Sequence, residues 1–167
     1  MTFVDPTRPI PIERRNPSLV PAIAFVVGVL AIGGTIGSLN IPDQWYRDLA
    51  KPAFNPPDWV FGPVWTVLYG MVGYAGYRTW RGFGAASLPF ALWGLQMLLN
   101  FAWTPIFFSL HSLPLASFEI AAFLVAVIAY MAVIWNRDRA TFWLFVPYLA
   151  WVGFATMLTW TIWSMNA

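Results

Sequence analysis

Residues 115–163 read LASFEIAAFLVAVIAYMAVIWNRDRATFWLFVPYLAWVGFATMLTWTIW, two apolar segments separated by a polar break at 136–139. Each segment has about 20 residues, the length that a helix needs to cross roughly 30 Å of hydrocarbon. Strands of a membrane barrel would alternate polar and apolar residues over about ten positions, and neither segment alternates in this way. The stretch therefore predicts two transmembrane helices joined as an antiparallel hairpin.

The charged residues leave further apolar stretches nearer the N-terminus. The longest, at 82–118, is interrupted by a polar turn with a proline at 109–114, so it holds one helix before the break. The expected fold class is all-α, a polytopic membrane protein with a five-transmembrane-helix bundle over residues 18–167, preceded by a cytoplasmic extension of residues 1–17. The predicted helices are Ser18–Leu39, Val60–Trp80, Ser87–Phe108, Leu115–Trp135 and Thr141–Trp163.

Composition excludes several classes of protein. Hydrophobic residues make up 59 % of the chain and charged residues only 10 %, against about 25 % charged in a typical soluble domain. The basic residues are scattered rather than clustered, so nucleic acid is not an expected partner. Cysteine is absent and His111 is the only histidine. No metal site, paired carboxylates or nucleophile with its base is therefore predicted, and no catalytic residue is assigned.

The distribution of basic residues predicts the orientation in the membrane. Positive residues concentrate on the cytoplasmic side of membrane proteins. The N-terminus is therefore expected in the cytoplasm, with the first loop and the C-terminus outside. With five spans, one side holds Arg8, Arg14, Arg15, Arg78, Arg81, Arg137 and Arg139, and the other holds only Arg47 and Lys51.

The loop between the first two predicted helices is unusually rich in aromatic residues and prolines. It includes Trp45, Tyr46 and Phe54, and prolines at 52, 56 and 57 fix the backbone between them. An interfacial aromatic belt, which occurs at headgroup depth in many membrane proteins, is the simplest interpretation. That interpretation does not account for the proline framework, so we expect a stiff, ordered loop.

Aromatic and amide side chains also recur at helical spacing. They share one face on each of three predicted helices. Ordinary helix packing with polar side chains as interhelical contacts remains one interpretation, and a small-molecule pocket with a few orienting polar groups is the other. The faces comprise Phe61, Trp65 and Tyr69 on the second helix; Trp93, Gln96, Asn100, Trp103 and Phe107 on the third; and Tyr148, Trp151, Ala155 and Thr159 on the fifth.

Three blocks in this order resemble the TspO/MBR family of tryptophan-rich sensory proteins and mitochondrial translocator proteins. The first is the first-loop run Trp45-Tyr46, Lys51-Pro52, Phe54, Pro56-Pro57 and Trp59–Tyr69, with WVFGPVWTVLY at its end. The second holds Gln96, Asn100, Trp103, Thr104 and Phe107-Phe108. The third holds Pro147-Tyr148-Leu149, Trp151, Phe154-Ala155, Leu158 and Thr159. The resemblance covers the chain from about Leu39 to Asn166.

The resemblance implies a tetrapyrrole-binding membrane protein in which the first loop caps a pocket between the helices. The implied ligand is protoporphyrin IX or haem, with no obligatory cofactor, and the implied location is a bacterial cell membrane. Arg47 and Lys51 are the candidates for contact with the ligand's propionates. The expected ligand-binding residues are Trp45, Tyr46, Phe54, Pro56, Trp65, Tyr69, Asn100, Trp103, Phe107, Tyr148, Trp151, Ala155 and Thr159.

Partners and alternatives complete the expectations. The family implies a homodimer through the third helix, where Ala91 and Gly94 are small, and the first helix carries Gly33-x-x-x-Gly37. Many members have Asn where this chain has Thr159, and the C-terminal end lacks the base of the reported sterol motif, so cholesterol is not assigned. A structural subunit of a membrane complex and a light- and oxygen-dependent porphyrin-degrading activity remain the alternative functions.

Overall fold

The computed structural model describes residues 19–167; the predicted extension at 1–17 and the predicted helix start at Ser18 lie outside the described residues. The described chain is all-helical, which confirms the predicted class. The five long helices coincide with the predicted ones to within a few residues at each end. The elements are α1 Leu19–Leu39, α2 Gln44–Asp48, α3 Asp58–Phe83, α4 Leu88–Phe108, α5 Leu113–Ile134 and α6 Arg139–Asn166.

The short helix α2 was not predicted from sequence. It lies within the first loop, and five residues are too few to show a helical period in their hydrophobicity. The side chain of Asp43 caps it by accepting a hydrogen bond from the Tyr46 backbone N–H at 3.2 Å. The first loop is therefore a folded structure, and residues 40–57 are called the first-loop lid below.

Local capping sets three further boundaries, the end of α3 and the starts of α4 and α6. Ser87 accepts a hydrogen bond from the backbone N–H of Phe90 at the start of α4, and Asp138 accepts one from Thr141 at the start of α6. Gly84 ends α3 with φ of 82°, a left-handed conformation that glycine adopts without steric cost. These are features of the sequence itself, which is why the boundaries were predictable.

The long helices form one bundle around a central apolar cluster. Going round the bundle, α1 contacts α3, α3 contacts α6, α6 contacts α5, α5 contacts α4, and α4 returns to α1. The cluster centres on α5, where Phe123, Val127 and Tyr130 are buried against Phe145 and Tyr148 of α6. Helix α1 lies at the edge and exposes most of its apolar side chains, as expected of a helix that faces lipid.

Four of the described helices, α1, α4, α5 and α6, are long and apolar enough to cross a membrane. Helix α3 is long enough, with 26 residues, but it falls outside this group because tryptophans, tyrosines, glycines and a proline lower the hydropathy of its charge-free middle. The apolar helices indicate an integral membrane protein. The span predicted at Val60–Trp80, which corresponds to α3, is therefore not confirmed, and neither is the total of five spans.

Candidate functional site

A small cavity lies between α3, α4, α5 and α6, with a volume of about 40 Å³. Its wall is mostly aromatic and aliphatic, and its few polar side chains come from α3, α4 and α6. The lining residues are Phe61, Trp65, Tyr69, Asn100, Trp103, Thr104, Ile120, Phe123, Trp151, Val152, Ala155, Leu158 and Thr159. An apolar cavity with a few polar groups is the usual form of a small-molecule site.

The structure brings seven of the predicted ligand-binding residues to this cavity and leaves the others elsewhere. The seven are Trp65, Tyr69, Asn100, Trp103, Trp151, Ala155 and Thr159. Tyr148 is fully buried behind the wall. Trp45, Tyr46 and Phe107 belong to a second apolar cluster, between the lid and the end of the bundle. The Phe54 ring packs edge-on against Phe154 at 6.4 Å, and Pro56 is not part of the cavity wall.

Sequence reasoning missed six of the lining residues. Phe61 was on the predicted α3 stripe, one turn before Trp65, and Thr104 was in the second family block, so both carried a usable signal. Ile120 and Phe123 are apolar residues in an apolar helix, and nothing local distinguishes them from residues that face lipid. The same holds for Val152 on α6, whereas Leu158 was in the third family block and carried a usable signal.

A chain of hydrogen bonds connects α3, α4 and α6 at one side of the cavity. The Tyr69 hydroxyl donates to Asn100 Oδ1 at 2.9 Å, and Asn100 Nδ2 donates to the Tyr148 hydroxyl at 3.1 Å. Tyr148 donates to Gln96 Oε1 at 2.8 Å, and Gln96 Nε2 donates to the Trp93 carbonyl at 2.9 Å. Because buried polar groups away from water need partners, this chain of bonds fixes three helices relative to one another.

Trp103 differs from these residues. Its indole Nε1 is buried and has no hydrogen-bond partner among the described residues, while its ring lines the cavity. The ring also stacks on Phe107 at a centroid distance of 5.0 Å, which fixes its orientation. The Trp103 ring is therefore a fixed part of the cavity wall.

Aromatic rings fill the space that a large ligand would need. The Trp151 ring meets Phe61 at 5.8 Å and Trp65 at 6.5 Å, in both cases edge to face. The cavity of about 40 Å³ is far below the roughly 300–1,000 Å³ of pockets that enclose a drug-sized molecule. A tetrapyrrole therefore requires these rings to rotate or the lid to move.

The two basic residues of the lid, Arg47 and Lys51, form their hydrogen bonds with other atoms of the lid. Lys51 Nζ donates to the carbonyls of Arg47 and Leu49, each at 3.1 Å, and lies over the Tyr46 ring. Arg47 Nε donates to Gln44 Oε1 at 3.0 Å. Neither residue lines the cavity. Burial and, to a lesser degree, the charge of Asp58 raise the pKa of the Tyr46 hydroxyl, so it stays protonated at neutral pH.

Comparisons with known proteins all point to the TspO/MBR family. The profile of the TspO/MBR family matches residues 22–164. The chain is 38 % identical to the tryptophan-rich protein TspO of Archaeoglobus fulgidus, over 90 % of this chain and 99 % of that one. It is 34 % identical to the human translocator protein, over 90 % of this chain and 92 % of the relative. It is 36 % identical to the tryptophan-rich sensory protein of Cereibacter sphaeroides, over 85 % and 90 % of the two chains.

Proposed function

We propose that this chain, which belongs to the TspO/MBR family, binds a tetrapyrrole such as protoporphyrin IX or haem between its helices and acts in its sensing or trafficking. The observation that carries the proposal is the cavity between α3, α4, α5 and α6, whose wall includes the rings of Trp65, Trp103 and Trp151. A porphyrin is flat and apolar on both faces, so its faces suit stacking on indole rings.

Binding on this proposal requires rearrangement. Rotation of Trp151 away from Phe61 and Trp65 would open the cavity on the side of the lid, since Phe61 and Trp65 come from the first two turns of α3, next to the lid, and the Trp151 ring contacts both. The ligand's propionates would then lie at the lid end, where Arg47 and Lys51 exchange their bonds within the lid for contacts with carboxylates. The hydrogen-bonded chain from Tyr69 to Gln96 stays intact in this arrangement.

The membrane arrangement is part of the proposal. We take all five long helices as spans, in a bacterial cell membrane, with the N-terminus in the cytoplasm. The contact between Arg78 of α3 and Asp138 of the α5–α6 loop supports this arrangement, because it brings the far ends of α3 and α6 to the same side as the other basic loops. Helix α3 then crosses the membrane beside its neighbours.

We also propose a homodimer that packs through α4. A groove of about 570 Å³ runs between α1 and α4, and a Cβ atom added to Gly28 or Gly94 would meet nothing within 4 Å. Small residues of this kind let helices from two copies approach closely. Gly33, by contrast, is covered by the Tyr69 ring, so the Gly33-x-x-x-Gly37 motif does not offer two open glycines. A monomer in lipid nanodiscs would contradict this proposal.

Titration of the purified protein with protoporphyrin IX and with haem tests the function. We expect saturable quenching of tryptophan fluorescence, and a tenfold or greater loss of affinity, about 1.4 kcal/mol, for Trp151→Ala. Trp143→Ala is the matched control, since Trp143 is on the same helix, is 61 % exposed and lies outside the cavity. Equal losses in both variants would indicate adsorption to exposed rings, and destruction of the bound ligand under light would favour the degrading activity.

A further inference from the structure

We propose that His111 is a pH-sensitive latch that holds the first-loop lid closed on the end of the bundle. The latch itself is a property of the fold. Its effect on ligand exchange rests on the proposed tetrapyrrole binding, because a cavity of about 40 Å³ admits a large ligand only after the lid or the wall has moved.

His111 holds α2 at two points. Its Nε2 lies 3.2 Å from Asp43 Oδ2, and its ring stacks on Trp45 at a centroid distance of 4.3 Å with 23° between the planes. Asp43 caps α2 through its other oxygen, and Trp45 is in the first turn of α2. His111, from the α4–α5 loop, therefore contacts both the N-cap and the first turn of α2, the short helix of the lid.

The backbone at His111 supports a role beyond loop closure. Its φ is 50°, the only positive value at a non-glycine residue in the described chain. A side-chain-bearing residue persists in this conformation only where surrounding contacts impose it. The loop leaves α4 through a hydrogen bond from Leu110 N–H to the Pro105 carbonyl at 2.9 Å. This turn directs the imidazole towards the lid.

The other anchors of the lid do not change charge near neutral pH. Asn166 at the end of α6 donates to the Ala50 carbonyl and accepts from the Ala50 N–H, both at 2.9 Å. Ser109 hydrogen-bonds to Asn40, and Tyr46 is buried against Phe107 and Phe108. Histidine is the side chain that ordinarily changes charge between pH 5 and 8, and the His111 contact is the only one of these that contains a histidine.

The direction of the pH effect on lid closure follows from the charged groups around the His111 ring. A protonated His111 attracts the Asp43 carboxylate and the face of Trp45. From the lid, Arg47 opposes it weakly, since its guanidinium hydrogen-bonds to the Pro42 carbonyl next to Asp43. Helix α4 carries no charged residue, α6 carries only Arg139 at its opposite end, and Glu119 lies eight residues further along α5. Protonation therefore closes the lid, and loss of the proton weakens the closure.

Deprotonation loosens the latch but does not abolish it. A neutral imidazole with its proton on Nε2 still donates to Asp43, and the ring still stacks on Trp45. What is lost is the attraction of the charge in the ion pair and over the indole. We expect the ratio of open to closed lid to rise about fivefold between pH 5.5 and 8.0, the size of such partly exposed contacts.

Distances between two spin labels test the latch without any ligand. The chain has no cysteine, so Asp48→Cys on the lid and Leu115→Cys on α5, both exposed positions, can carry the labels in lipid nanodiscs. Native His111 should give a narrow distance distribution at pH 5.5 and an added longer population at pH 8.0. No change between these two pH values would overturn the proposal.

Two further variants isolate the residues. His111→Asn keeps a side chain that tolerates the left-handed backbone, and Asp43→Asn keeps a helix cap, but each removes the ion pair. His111→Asn should show at least the open population of native protein at pH 8.0, whatever the pH, because it also loses the stacking on Trp45. Asp43→Asn should show a smaller pH response than the native protein, because only the charge over the Trp45 indole remains. If His111→Asn still responded to pH as the native protein does, the latch would be wrong.

Protoporphyrin IX and haem separate the latch from the proposed function. The association rate of protoporphyrin IX should rise severalfold from pH 5.5 to 8.0 in native protein and be independent of pH in His111→Asn. A pH-dependent lid in a protein that binds neither compound would contradict tetrapyrrole binding and leave the latch standing. Loss of haem affinity alone in His111→Asn, with unchanged distances, would make His111 an iron ligand and overturn the latch.

Discussion

At Gly73 the backbones of α3 and α1 approach so closely that only a hydrogen atom fits between them. A Cβ atom there would lie 2.8 Å from Val26 Cα and 3.0 Å from the Phe25 carbonyl oxygen. Both neighbours are backbone atoms, which cannot rotate away as a side chain could. The contact joins the edge helix α1 to the rest of the bundle, and a larger side chain at position 73 would push the two helices apart.

Gly73→Ala should therefore lower the melting temperature in detergent. Overpacking of this kind costs about 1–3 kcal/mol, and in a protein of this size each kcal/mol is worth about 2–4 °C. Gly70→Ala on the same helix is the control, since its Cβ would meet nothing within 4 Å, and alanine favours a helix over glycine by about 1 kcal/mol. A lower melting temperature for both variants would mean that the close approach is not the cause.

At the scale of elements, a polar clamp joins α3 to the start of α6. The Arg78 guanidinium donates to both oxygens of Asp138, at 2.8 and 2.9 Å, and its Nε donates to the Thr141 hydroxyl at 2.8 Å. Thr141 in turn donates to Asp138. Burial by itself would raise the pKa of Asp138, but the hydrogen bonds from Arg78 and Thr141 outweigh it, so the pKa lies below its usual range.

The lowered pKa gives the clamp a defined pH dependence. It stabilises the fold above the ordinary aspartate value, about 3.9, and its contribution is lost as the pH falls through the lower folded value. Asp138→Asn, which keeps a capping side chain, should cost roughly 1–2 kcal/mol at pH 7. The melting temperatures of the two proteins should converge in acid. Arg137→Ala, an exposed change in the same loop, should have little effect, and an equal loss there would point to net charge instead.

At the scale of the whole molecule, the number of spans decides on which sides the termini lie. If α3 crosses the membrane with the four more apolar helices, the count is odd and the termini lie on opposite sides. If α3 stays at the surface, they lie on the same side. The contact between Arg78, near the end of α3, and Asp138 of the α5–α6 loop favours the first arrangement, because it places the end of α3 beside the basic residues Arg137 and Arg139.

Single cysteines in this cysteine-free chain distinguish the two arrangements. In intact cells, a membrane-impermeant maleimide should label Ala167→Cys, because the C-terminus is expected outside. Thr2→Cys should react only after the membrane is permeabilised, since the side that holds seven of the nine basic residues is predicted to be cytoplasmic. Labelling of both positions in intact cells would show an even number of crossings and remove α3 from the spans.

The candidate site was only partly readable from sequence. Trp65, Asn100 and Trp151 were placed together because large rings and an amide at helical spacing stand out against an apolar background. Ile120 and Phe123 could not be found in this way, since every face of α5 is apolar and its buried face has no local mark. Tyr46 and Phe107 were predicted to line the pocket, yet they pack against each other in the second apolar cluster, between the lid and the end of the bundle.

The sequence by itself determined the helices, their order and the lid's aromatic content, because charge-free stretches, caps and prolines act through neighbours along the chain. Only the tertiary structure decided which rings share the cavity, how small that cavity is, and that His111 meets Asp43 and Trp45. These contacts join residues far apart in the chain. They depend on how each helix is rotated about its axis, and in helices that are apolar on all sides the hydrophobic pattern does not specify that rotation.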